Sequence, residues 1–173
     1  MMRKFALFTV VVMLVWLLGG NTGWAQKYQG KEGTELAKGL KGAGVSLEKA
    51  LLTSEREGKP ISGKFEMEDG KLHLSLYTEK GGKFSEVLLD PKSGKVVKVE
   101  AIASGEDLTA AKAQNEAMAK AKLSLRVAIE RALKAHKGFR AVSIFPALKD
   151  GHPIADVTLI KGEEFKTASE KLD

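Results

Sequence analysis

From Gly70 to Val97 the hydrophobic and polar positions alternate with a period of two, and turn residues break the alternation twice. The pattern predicts strands over Lys71–Thr78, Lys83–Leu89 and Lys95–Ala101, joined at Glu79-Lys80-Gly81-Gly82 and at Asp90-Pro91-Lys92-Ser93-Gly94. Just upstream, Ile61, Gly63, Phe65 and Met67 alternate with Ser62, Lys64, Glu66 and Glu68, which predicts a fourth strand hinged at Asp69-Gly70. Leu72, Leu74, Leu76, Val87, Leu89, Val97, Val99 and Ala101 are expected to face a helix. Lys71, His73, Ser75 and Tyr77 are expected to face water.

The helical signals have a different spacing. Ser46 is a good N-cap, and Leu47, Ala50, Leu51 and Ser54 recur at i, i+3, i+4 and i+7, so Val45–Glu57 reads as a short amphipathic helix stopped by Gly58 and Pro60. Ser104-Gly-Glu-Asp107 has the form of a capping box and opens a long helical stretch toward Lys137. Drawn straight it would exceed about 45 Å, too long for a domain of this size, so a bend is expected near Lys120–Ser124. Its first half offers Ala110, Ala113, Ala117 and Ala121 for close packing, and its second half carries the stripe Leu125, Ala128, Ile129, Ala132 and Leu133. Strands are expected again over Phe139–Leu148, Pro153–Ile160 and around Phe165, with a turn at Asp150-Gly151.

The second half therefore repeats the first. Ser46-Leu47 falls on Ser124-Leu125 at an offset of 78, and Asp69-Gly70 and Phe84 fall on Asp150-Gly151 and Phe165 at an offset of 81. The expected fold is α+β: two tandem units, each a helix followed by an antiparallel β-meander, sharing one core. The first unit is placed at 45–103 and the second, with its long N-terminal helix, at 104–173. The glycine-rich and lysine-rich stretch 26–44 is expected to be a mobile leader.

Residues 1–25 have the pattern of a secretory signal peptide: Arg3 and Lys4, an apolar run from Phe5 to Leu18, then Gly23-Trp24-Ala25. The run is shorter than the roughly 20 residues that span a bilayer, so cleavage after Ala25 is expected, with an uncleaved anchor as the alternative. Export implies a periplasmic or secreted protein, with no integral membrane segment once the signal is removed. The chain has no cysteine, which excludes thiolate catalysis, a disulfide framework and a lipid-modified N-terminus. The net charge of +6 comes from interspersed residues and not from a basic stripe, so nucleic acid is not an expected partner.

No constellation points to catalysis. His73, His136 and His152 are isolated and lack metal-ligand spacing, Asp90 occupies the turn position that favours aspartate, and Glu66 and Glu68 share their strand face with Lys64. No catalytic residue, metal site or cofactor is expected. His73, Ser75 and Tyr77, on the polar side of one strand, are the expected binding residues, and a free sheet edge is a second means of holding an extended segment.

Val45-Ser46-Leu47-Glu48-Lys49-Ala50, the stop at Gly58, the Gly70-Lys71 hairpin and Leu89-Asp90-Pro91-Lys92-Ser93-Gly94-Lys95-Val96-Val97 together resemble the PepSY domain family. The likeness covers about Val45–Val99, and the copy from Leu123 onward is divergent and truncated. Members occur in exported bacterial proteins and in the propeptides of secreted metallopeptidases. The resemblance implies a non-catalytic binding or regulatory protein that restrains a peptidase or another cell-envelope protein. The alternative is an envelope protein that binds a small ligand or a metal.

Overall fold

The computed structural model describes Tyr28 and residues 30–173, so the signal-type segment lies outside the described residues. The elements are α1 (Lys31–Leu40), α2 (Leu47–Ser54), β1 (Lys59–Glu68), β2 (Lys71–Lys80), β3 (Lys83–Leu89), β4 (Val96–Ile102), α3 (Gly105–Lys120), α4 (Leu125–Ala135), β5 (Arg140–Lys149), β6 (His152–Lys161) and β7 (Glu164–Lys171). The strands form one antiparallel sheet in the order β4-β3-β2-β1-β5-β6-β7. Each meander is thus contiguous, and the two join where β1 pairs with β5 through Gly63 opposite Ile144 and Lys64 opposite Ser143.

The two units share local chemistry. Ser46 and Ser124 each cap a helix by accepting from a backbone N–H three residues on, at Lys49 and Val127. Asp69 and Asp150 both take positive φ, at 49° and 52°, in front of a glycine, as two-residue hairpins of this hand require. Each unit's first strand carries a register shift, between Pro60 and Ser62 and between Ala141 and Ser143. Helix α2 packs on β1 and β2, α4 packs on β5, β6 and β7, and the two helices touch. Leu47, Leu51, Phe65, Leu74, Leu76, Leu125, Ile129, Ile144, Val157 and Leu159 lie buried in one hydrophobic cluster, so the fold is α+β with a shared core.

Four local expectations are corrected. Lys31–Leu40 is a helix with Leu36, Ala37 and Leu40 buried, where a mobile leader was expected. Packing offsets the weak helix propensity of its glycines, and Gly39 makes that packing close: a Cβ there would meet Met67 Sδ at 2.7 Å. Ser104 begins α3 without a side-chain cap bond, because the chain enters through Gly105 at φ 79° and not in capping-box geometry. Helix α3 buries Ala111, Ala117 and Met118, while Ala110 and Ala113 are exposed; alanines on several faces leave the period ambiguous. Val97, Val99 and Ala101 are exposed, since β4 is the outermost strand at one edge of the sheet.

The expected bend near Lys120–Ser124 is a full break. Ala121 is extended, and Lys122 and Leu123 donate their N–H groups to the carbonyl of Leu172, at 2.7 and 3.0 Å. The residue just after β7 takes the donors that a continuous helix would have used internally.

Candidate functional site

His73, Ser75 and Tyr77 do lie on one side of β2, but that side is largely covered. Ser75 is 1% exposed, and Tyr77 is half-buried with its hydroxyl donating to Glu86 at 3.3 Å. The cover comes from α3. Ser62, the cross-strand neighbour of Tyr77, donates to Gln114 of α3 at 2.6 Å, and Lys59 donates to the Met118 carbonyl. The strand's alternation showed which side each residue takes, but it could not show that a helix from the second unit would cross that side. Of the three, His73 and Tyr77 keep partial exposure, and His73 lies toward the Asp69-Gly70 end of the strand. His73 is half-buried, with Nδ1 3.9 Å from Glu68.

The covered side holds a polar layer within the sheet. Lys64 Nζ bonds Glu66 Oε2 at 2.7 Å, and the Glu66 charge acts on both Tyr77 and Tyr28. Tyr28 stacks on Phe165 with ring centroids 5.1 Å apart and faces Ser143. Burial, reinforced by nearby carboxylates, pushes the Tyr28 phenol up to about 12 and Tyr77 well above its ordinary value, with Glu86 the largest charge on the latter.

A titration follows from these two residues, the chain's only tyrosines. A phenol whose folded pKa is raised leaves stability untouched below pH 10, the ordinary value, and removes it as pH rises from there through about 12. The native protein is therefore expected to show no phenolate absorbance at pH 10, and then to gain it together with loss of circular dichroism. A gradual rise centred on pH 10 in folded protein would show that both rings are open to water.

The acids and histidines considered for chemistry have structural partners. Asp90 Oδ1 accepts from the Ser93 backbone N–H and hydroxyl, both at 2.6 Å, and these bonds hold its carboxyl below the usual carboxylate range. His152 Nδ1 lies 3.0 Å from Asp173 Oδ2, and that contact lowers the Asp173 pKa. Among the described residues no group of histidines and carboxylates has the arrangement to hold a metal ion, and no helix is long and apolar enough to cross a membrane.

A cleft of about 400 Å³ opens where the end of α2 and the start of β1 meet the α3–α4 junction. Leu51, Pro60, Met118 and Leu123 give it apolar walls, and Glu55, Lys59, Lys122 and Arg126 line it with charge. It draws on both halves of the chain, so neither half's pattern announces it.

Residues 44–100 match the family model described as "Peptidase propeptide and YPEB domain". The matched family is PepSY, and the likeness is confined to this segment. It runs from the loop before α2 into β4, about a third of the chain, and includes the Ser46 cap and the Asp90 turn. No curated protein matches the chain. A crystal structure of a protein from Clostridium difficile 630 that carries a lipoprotein description is similar over 76% of this chain and 88% of that one, at 10% identity and a TM-score of 0.44.

Proposed function

We propose that this is an exported, non-catalytic binding protein whose PepSY-like segment engages a protein partner, a peptidase or another cell-envelope protein, and restrains it by occlusion. The observation that carries the reading is the match of residues 44–100 to a family described by peptidase propeptides. The N-terminal sequence pattern supports export, with cleavage after Ala25 leaving Gln26–Asp173 in the periplasm or outside the cell. The structural engagement of Asp90 and His152 supports binding over turnover.

An affinity pull-down of Gln26–Asp173 from envelope extract of the source organism tests the proposal, with a His73→Ala variant beside it. Specific retention of a peptidase or other envelope protein is expected. Loss of that partner with His73→Ala would place the contact at the Asp69-Gly70 end of the β2 polar row, and its persistence would direct attention to the cleft at Lys122 and Arg126. Retention of nothing by either form would overturn the proposal.

A further inference from the structure

The sheet has two outer strands, and they are not alike. On β7, Glu164, Lys166, Glu170 and Lys171 supply the charges that discourage strand addition. On β4, Val96, Val97 and Val99 are 37%, 69% and 44% exposed, and together they account for most of the large exposed hydrophobic side chains among the described residues. An exposed apolar strand with a free backbone edge is a surface that solvent covers poorly.

We infer that this edge takes a second copy of the chain, β4 pairing antiparallel with β4 about a two-fold axis through Val99. The occupant is argued from register. Pairing about an axis perpendicular to the sheet keeps each face continuous, so the strand can be centred on one residue or on its neighbour, and each choice sets a different pattern of facing side chains. Centred on Val99, Val99 faces its own copy and Lys98 faces Glu100 twice, all within the regular run from Lys98 to Ile102. Centred on Lys98, two lysines oppose each other. Centred on Glu100, two carboxylates oppose each other and Lys98 meets Ile102. Facing opposite charges stabilise a strand pair and facing like charges destabilise it, so the sequence of β4 selects the first register.

The neighbouring strand points the same way. Glu86 of β3 lies directly across from Glu100, a like-charge pair, and Lys98 Nζ sits 2.7 Å from Glu100 Oε1. A second copy in this register brings a second lysine to each carboxylate pair. Pairing of β3 with β4 is regular from Lys98 to Ile102, and its register shift falls outside that run. The stretch carrying both charges is therefore a straight template.

Sedimentation velocity of Gln26–Asp173 over a concentration series tests the inference, and it reads self-association whether or not an envelope partner is ever found. A monomer–dimer equilibrium is expected. Lys98→Glu, which sets carboxylates face to face at both symmetric positions, is expected to weaken it about tenfold or more. The double variant Lys98→Glu/Glu100→Lys, which exchanges the charges, is expected to restore it. Val99→Lys, which brings two cations together on the axis, is expected to leave a monomer. All three positions are exposed, so each variant should melt close to the parent. A parent that is monomeric at its highest soluble concentration would overturn the inference. So would a dimer indifferent to Val99→Lys, or a double variant as weak as Lys98→Glu alone.

Discussion

Phe65→Ala is expected to lower the stability of this protein by about 3–5 kcal/mol, the range for truncating a fully buried phenylalanine. Phe65 has no exposed surface and lies in β1, next to the seam between the two halves of the sheet. Leu74 faces it across the β1–β2 ladder, and the Arg140 guanidinium stands 5.2 Å from its ring centroid. The surroundings are β strands held by ladders on both sides, so the site has little freedom to collapse into the space left behind. Urea unfolding measures the loss as a lower midpoint at unchanged slope. Because one cluster spans both units, tryptophan-independent probes such as far-ultraviolet circular dichroism and hydrogen exchange should report a single transition, in the parent and in the variant. A loss below about 1 kcal/mol, or two separate transitions, would show that the units do not depend on a common core.

Much of the fold could be read from the chain because its strands obey period two and its turns carry residues with one conformational role. Asp69-Gly70 and Asp150-Gly151 mark hairpins, and Ser46 and Ser124 mark helix starts, so the helix-then-strand order of the α+β fold follows from a handful of residues. What the pattern could not carry was which surface each element meets. Val97 and Val99 alternate as correctly as Leu74 and Leu76, yet one pair is exposed and the other buried, because β4 ends at the sheet edge and β2 lies inside it. Leu36 and Leu40 looked too sparse to fix a helix, and only the close approach of Gly39 to Met67 shows how they do.

The candidate site was legible to a lesser degree for the same reason. His73, Ser75 and Tyr77 were placed on the correct side of their strand, but Gln114 and Met118, which help to close that side, lie far along the chain on a helix whose alanines gave no clear face. A weak signal was present in Tyr77 itself. A large ring between Ser75 and Glu79 on a supposedly solvated strand face needs cover for its apolar body, and Tyr77 is half-buried.

Arg140 carried no signal in the sequence, and its removal is expected to be the most informative of the polar changes. It opens β5, and its guanidinium donates to two backbone carbonyls between α1 and α2: Leu40 at 3.0 Å and Val45 at 2.9 Å. Leu40 ends α1 and Val45 precedes α2, so one planar fork from the far half of the chain closes the loop between two helices of the near half. Partial burial draws its pKa down, but a guanidinium starts so high that it stays charged throughout. Hydrogen bonds from a charged donor contribute about 1.5–3 kcal/mol each, and alanine would take the Arg140 donor from the Val45 carbonyl and leave the Leu40 carbonyl only the Ala43 N–H, so Arg140→Ala is expected to cost about 2–4 kcal/mol. Arg140→Lys keeps the charge but cannot reach both carbonyls in one plane, and should recover only part of the loss. Hydrogen exchange distinguishes this clamp from general weakening: amides of 31–45 should lose protection first, while those of β5 and β6 hold. Uniform loss across the sheet would mean that α1 is held by its buried leucines alone, and that Arg140 acts only through the ring of Phe65.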